Sequence, residues 1–253
     1  MSKGLLTTAV GSYPKPEALV RARNKVARGE MGLDELEALE REATAFWITA
    51  QEDLGMDLLV DGEMYRGDMV TYFSENLEGF KISGLVRSYG NRYYRKPVAV
   101  GEIERANPVT VAWYQFAQSC TQKPVKGMLT GPYTIMDWSF DEFYPSRRDF
   151  CLRLAEVVHE EAKDLEEAGA QYIQIDEPAV SVRPEELELA IEAMGIVTSG
   201  LKAKTLTHIC YGDFPKIYPK MLEIPVDQID LELSNSQFDL FGLFKKSIHP
   251  EKP

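Results

Sequence analysis

Short apolar runs alternate along this chain with long amphipathic stretches, and that rhythm restricts the fold to βαβ units around a parallel sheet. Strands are expected at Leu5–Val10, Asp57–Val60, Val125–Leu129, Tyr172–Ile175, Thr205–Ile209 and Gln228–Leu233. Helical spacing places helices at Pro16–Glu30, Leu33–Leu54, Val109–Ser119, Arg148–Ala168 and from Pro184 to Met194. A short piece broken by Pro219 and an apolar Phe238–Lys246 segment follow. The Arg148–Ala168 helix is the clearest, with Phe150, Leu154, Val157, Ala162 and Leu165 on one side and Gly169 as its stop.

Polar residues collect where the apolar runs end: Ser12, Glu63, Thr130 with Trp138, Asp176 with Glu177, His208 with Cys210, and Glu232. That is the layout of a parallel barrel, whose active sites lie at the C-terminal ends of its strands. A doubly wound open sheet would show a glycine-rich first turn, and Gly11-Ser12-Tyr13-Pro14 is not one. The expectation is therefore an α/β fold of the TIM (β/α)8 type. The 253 residues are expected to form a single domain, since such barrels use roughly 250. Only six strands can be counted, so the barrel reads as truncated after the sixth. Residues 71–108 break the rhythm and are read as a hairpin excursion around Ser88-Tyr89-Gly90-Asn91-Arg92-Tyr93-Tyr94.

His208 and Cys210 share a strand face, and Glu232 follows one helix-plus-strand unit later. Imidazole, thiolate and carboxylate at neighbouring strand ends describe a zinc site with a position open for substrate. Against this stands a buried strand with two semi-polar residues. Zinc deprotonates a thiol that it binds, so a substrate thiol there would be a nucleophile at neutral pH. Glu63 and Asp176 are placed to hold a substrate ammonium. Glu63 could equally cap a helix, Asp176-Glu177 could form a turn, and Trp138 reads on chemistry alone as loop packing. No residue is assigned as catalytic acid or base.

The remaining features exclude classes of function. A net charge of −12, from 40 acidic and 28 basic residues, would repel nucleic acid and anionic membranes. Three widely spaced cysteines, Cys120, Cys151 and Cys210, make no disulfide framework, and no signal peptide precedes Leu5, so a reducing cytoplasm is expected. Cys120 is expected to be buried and apolar, Cys151 to lie on a helix behind the barrel wall, and His159 and His249 to be solvated. No apolar run approaches the roughly 18 residues that span a bilayer.

Five segments together carry a family resemblance: Thr7-Thr8-Ala9-Val10-Gly11-Ser12-Tyr13-Pro14, Gly62-Glu63-Met64-Tyr65-Arg66, Lys126-Gly127-Met128-Leu129-Thr130-Gly131-Pro132, Gln174-Ile175-Asp176-Glu177-Pro178-Ala179 and Thr207-His208-Ile209-Cys210. In this order they resemble the catalytic C-terminal domain of cobalamin-independent methionine synthase. The resemblance implies methyl transfer to the thiol of homocysteine, with His208, Cys210 and Glu232 as three of four Zn²⁺ ligands. It implies that Val10, Gly11, Ser12, Glu63 and Asp176 hold the amino-acid end of homocysteine, and that Arg92 and Trp138 contact the methyl donor's pterin.

The departures are specific. The family's fourth ligand, a Cys, and its proposed proton-donor His lie on strands not found here, leaving water, His249 or another chain for the fourth position. Val182 stands in place of a folate-contacting Glu, Tyr93 in place of a Cys, and the family's N-terminal half is absent. These departures resemble a short core form, for which a corrinoid donor such as methylcobalamin, on a corrinoid protein, is expected beside methyl-folate. An open barrel would leave strand edges and Phe238, Phe241 and Phe244 uncovered, which suggests a homo-oligomer or a swapped dimer. Two other functions compete: methyl transfer to another small thiol such as coenzyme M, and an inactive barrel serving as a binding or assembly module.

Overall fold

A computed structural model describes residues 4–87, 93–210, 212–234, 238 and 241–244. Its centre is a parallel sheet in the order β3-β5-β6-β7, formed by β3 (Gly127–Thr130), β5 (Tyr172–Asp176), β6 (Lys204–Ile209) and β7 (Gln228–Leu231). Two single bridges extend the row on the other side. Leu59 pairs in parallel with Val125, and Thr8 with Leu58. The described residues thus hold six strand positions side by side in chain order, the arrangement of a barrel wall, with no closure between the first and the last among them.

The helices cover one face of this wall. Helices α1 (Glu17–Ala27) and α2 (Leu33–Asp53) pack Leu19 and Ala43 with Met64. Helices α4 (Val111–Ser119), α6 (Arg147–Glu167) and α7 (Leu187–Thr198) cover β3, β5 and β6, burying Leu154, Val158 and Ala193 against Ile173, Ile175 and Ile209. Helix α6 begins as its sequence requires. The Ser146 hydroxyl accepts from the Asp149 amide at 3.1 Å, and Gly169 ends the helix at φ +103°. Helix α7 continues to Thr198, past the expected end at Met194, because buried Val197 extends the apolar face of Ala190, Ala193 and Met194 by one more turn.

The excursion is more structured than a hairpin over residues 71–108. It opens with α3 (Met69–Glu75), whose first turn is capped by Asp68: Oδ1 accepts from the Val70 and Thr71 amides at 3.0 and 2.9 Å. The antiparallel pair β1 (Glu78–Arg87) and β2 (Tyr93–Glu104) follows, and β4 (Phe140–Asp141) joins β2 in parallel. The stretch after β3, expected to be an aromatic loop, is helix α5 (Pro132–Asp137), with Pro132 at its first position. The last apolar segment is helical only as α9 (Phe241–Phe244), and Phe238 precedes it at φ +66°. The piece around Pro219 is one turn of helix, α8 (Phe214–Ile217), and a 3-10 turn, Lys220–Glu223.

Candidate active site

Strand register sorts the polar residues into layers. Met128 pairs with Gln174 and Gln174 with Leu206, while Thr130 pairs with Asp176 and His208 with Asp230. Since alternate residues share a face, Thr130, Asp176, His208 and Asp230 point to the side away from the helices, at the C-terminal ends of their strands. Cys210 and Glu232 lie two residues beyond His208 and Asp230 and share that face.

The amino-acid pocket expected at Val10, Gly11, Ser12, Glu63 and Asp176 is gathered by the fold. Glu63 sits at φ +56°, a left-handed conformation uncommon for a residue with a side chain. Asp61 fixes this turn by accepting from the Glu63 amide at 2.9 Å and the Tyr65 hydroxyl at 2.8 Å. Arg23 closes it from α1 through the carbonyls of Met64 and Arg66. The Glu63 carboxylate thereby lies against the backbone of Gly11, where an added Cβ would come within 2.9 Å of Oε1. A side chain there would have to displace the Glu63 carboxylate and the Met128 methyl group. Ser12 is exposed beside it. The helix-cap alternative for Glu63 does not hold, since helix α3 is capped by Asp68.

Asp176 is buried, and its Oδ1 accepts from Gln174 Nε2 at 2.7 Å. Burial, reinforced by the nearby Glu63, pushes its pKa up to about 6. Burial also raises that of Glu63, against the attraction of Arg66, whose Nη1 lies 3.3 Å from Oε1. Two electrostatically coupled carboxylates near the strand ends could share a cation, and the ammonium of an amino acid is one.

Glu177 has a different task from its neighbour. Its buried carboxylate accepts from the amides of Tyr133 and Thr134, at 3.0 and 2.8 Å, and from the Thr134 hydroxyl at 2.7 Å, which caps α5. Thus Asp176-Glu177 divides into one residue facing the mouth and one structural anchor.

His208 and Cys210 come together, and Glu232 does not yet join them. His208 Nδ1 lies 2.9 Å from Asp230 Oδ2, and its imidazole also interacts with the Cys210 side chain. Burial opposes the protonated ring, but Asp230, Cys210 and Asp176 outweigh it and raise its pKa to about 10. The Glu232 carboxylate accepts from the Ser234 hydroxyl at 2.6 Å. Among the described residues no three His, Cys, Asp or Glu side chains stand in a metal-holding arrangement. The donors nonetheless fit zinc in type and strand position, and a carboxylate on the second nitrogen of a ligand histidine is the usual way its ring is oriented.

Trp138 caps the C-terminus of α5, half-buried, with its carbonyl 3.4 Å from the Tyr94 hydroxyl. Arg92 and His249 lie outside the described residues. His159 is not simply solvated, because its Nδ1 lies 2.9 Å from the Val197 carbonyl on α7. Cys120 is half-buried rather than buried, its Sγ 3.4 Å from the Phe116 carbonyl, and Cys151 is fully buried in α6.

Sequence reasoning passed over three residues that build the site. Lys126 is buried and donates from Nζ to the Ala9 carbonyl at 2.7 Å and to Gln174 Oε1. Gln174 donates to the Val10 carbonyl at 2.8 Å as well as to Asp176. Asp230 orients His208. The period-2 alternation that pairs His208 with Cys210 also pairs Gln174 with Asp176 and Asp230 with Glu232, so that signal was present.

Comparisons with known proteins agree with this geometry. Residues 5–252 match the family described as cobalamin-independent synthase, catalytic domain. A methionine synthase of Sulfurisphaera tokodaii is 40% identical over 243 residues, 96% of this chain and 72% of that protein. A 5-methyltetrahydropteroyltriglutamate–homocysteine methyltransferase of Nitrobacter winogradskyi is 41% identical over 258 residues, and there the match spans only 34% of the longer protein. The structure of a B12-independent methionine synthase from Shewanella sp. W3-18-1, in complex with selenomethionine, aligns with a TM-score of 0.77 at 29% identity, covering 89% of this chain and 72% of that one. These findings overturn the expected corrinoid donor and corrinoid protein: the family is described as cobalamin-independent, and the Nitrobacter relative is named for a pteroyl donor. The chain belongs to the family of cobalamin-independent methionine synthase catalytic domains.

Proposed function

We propose that this protein transfers a methyl group from a methylated tetrahydropteroyl donor to the thiol of homocysteine, giving methionine. The observation that carries this reading is the pocket in which the Glu63 carboxylate lies against Gly11 and is electrostatically coupled to Asp176, one strand from His208 and Cys210. An amino acid fits it by chemistry. Its ammonium would lie between Glu63 and Asp176, its carboxylate would meet the exposed backbone and hydroxyl of Ser12, and its side-chain thiol would extend toward Cys210. Coenzyme M has no ammonium, so two carboxylates would be left unpaired beside it.

His208, Cys210 and Glu232 would hold zinc, after Glu232 turns from Ser234. When bound, the ion would supply a thiolate at neutral pH. Asp230 keeps the His208 ring in orientation, and the Lys126–Gln174 pair holds the Ala9–Val10 backbone and Asp176 in place. Trp138 would present its face to the donor's pterin, and Arg92 is assigned to the same ligand by resemblance.

The division of roles is testable in the purified protein. Asp176→Asn and Glu63→Gln are expected to raise the homocysteine KM at least about tenfold, the scale of one lost charge-assisted contact, while zinc affinity measured with a chelating dye changes less than about threefold. Cys210→Ser should abolish stoichiometric zinc. Equal loss of zinc in all three variants would refute the assignment.

A further inference from the structure

Beside the Glu63 turn lies a buried guanidinium. The Arg66 side chain is 2% exposed, and its buried Nε donor has no hydrogen-bond partner among the described residues. Its Nη2 donates to the Tyr65 hydroxyl at 3.0 Å and to the Met128 carbonyl on β3. Its Cζ stands 5.2, 5.9 and 5.4 Å from the ring centres of Tyr65, Tyr72 and Phe73. Tyr65 is fixed in turn, stacked on Trp113 at 4.6 Å and donating to Asp61 at 2.8 Å. A residue placed for packing alone would not bury a charge and leave one of its donors unpaired.

This guanidinium meets Glu63 at one oxygen only. Nη1 lies 3.3 Å from Oε1, longer than the roughly 2.7–2.9 Å of a strong charge-assisted bond. The same Oε1 lies against Gly11, whereas Oε2 accepts no hydrogen bond among the described residues. The backbone ties the two residues as well, since the Arg66 amide donates to the Glu63 carbonyl at 3.1 Å and Arg23 Nη1 donates to the Arg66 carbonyl at 2.8 Å. Burial raises the Glu63 pKa, and Arg66 is the largest influence against it, with Lys15 acting the same way and Asp61 and Asp68 acting with burial. From β5, Asp176 is coupled to the same carboxylate. Without a fixed cation a carboxylate so placed would take up a proton, and a neutral carboxyl offers an ammonium no charge.

We propose that Arg66 is a positioning residue for the amino-acid substrate: anchored at Tyr65 and Met128, it engages Oε1 of Glu63 and leaves Oε2, as an anion, to receive the ammonium. This rests on the amino-acid reading of the pocket. Arg66 acts through Glu63 rather than on the substrate itself. The single long contact suits that task, because a bidentate pair would occupy both carboxylate oxygens.

Calorimetric titration of the full chain with methionine, which carries the ammonium and carboxylate of homocysteine but no thiol, tests this without turnover. Glu63→Gln and Arg66→Met should each weaken binding about tenfold, the scale of one charge-assisted contact. Because the arginine acts through the glutamate, the double variant should also lose about tenfold, where independent structural damage would multiply to about a hundredfold. Tyr65→Phe keeps the ring against Trp113 and removes one anchor of the guanidinium, so it reads the same coupling if Arg66→Met does not fold. It should cost about threefold by itself and nothing further in the Glu63→Gln chain. Losses that multiply in the double variants, or unchanged binding in Arg66→Met or Tyr65→Phe, would overturn the inference alone. A wild type that binds no methionine would overturn the amino-acid reading and this inference with it.

Discussion

The two sides of the parallel wall are held by different means. From β3 to β7 the strands form continuous ladders of three or four paired residues each. From Thr8 to Val125 there are only two single bridges, and buried or half-buried side chains hold the backbone instead. Asp57 accepts from the Thr7 amide and hydroxyl at 2.9 and 2.8 Å, and Gln51 grips both the amide and the carbonyl of Val60, at 2.9 and 2.8 Å. Lys126, Gln174 and Arg66 secure the carbonyls of Ala9, Val10 and Met128. A strand engaged in ladders on both sides has no backbone groups free for a ligand. The Val10–Ser12 segment, held at carbonyls from below, keeps its remaining backbone groups at the mouth.

The largest expected effect lies on the ladder side. Gly131 has an ordinary φ of −71°, so no special backbone conformation requires it. A Cβ there, however, would meet the Glu177 side chain at 2.1 Å. That carboxylate is fixed by three hydrogen bonds, so Gly131→Ala either displaces it from the α5 cap or shifts β3. A loss of about 4 kcal/mol, from overpacking plus an unpaired buried carboxylate, should lower Tm by about 10 °C. Calorimetry would show this, and a change under about 3 °C would mean that Glu177 is not held as described.

Smaller effects are expected on the stitched side, and there they should separate stability from binding. Lys126→Met removes the buried donor to Ala9 O and Gln174 Oε1, and Gln51→Leu strips Val60 of both its partners. Each should cost about 2 kcal/mol in denaturant titrations. Only the lysine variant should also raise the homocysteine KM, by about tenfold, because only it loosens the Val10–Ser12 segment and Asp176. Equal KM in both variants would break the link between stitching and substrate contact.

The smallest effect concerns pH. Asp176 attracts an ammonium only when ionised, and burial and Glu63 hold its pKa at about 6. kcat/KM for homocysteine should therefore be flat above that pH and fall by about tenfold per pH unit below it. Asp176→Asn should remove this limb. A limb that persists in the variant would assign the titration to another group.

Much of the fold could be read from residue order alone. Apolar runs and amphipathic spacing located four strands, the two neighbouring bridge positions and the long helices, because burial of one face imposes a period on any sequence. The same alternation put His208 with Cys210. Helix α3 escaped notice although Asp68 is an ordinary cap, since the polar, aromatic stretch behind it reads as loop, and α5 was hidden because its six residues are too few to show a period. Glu177 looked like half of a functional pair, and only the position of α5 above it shows that it is an anchor.

What the sequence determined by itself was the parallel α/β class, the order of the strands and the residue types gathered at their ends, all consequences of local periodicity. The tertiary structure decided which of those residues meet. Glu63 reaches Gly11 through a left-handed turn, Lys126 and Gln174 connect strands that barely pair, and Arg66 ties the Glu63 turn to Met128 on β3. Such contacts depend on register, on turn handedness and on the space between layers, and none of these is encoded in any single stretch of the chain.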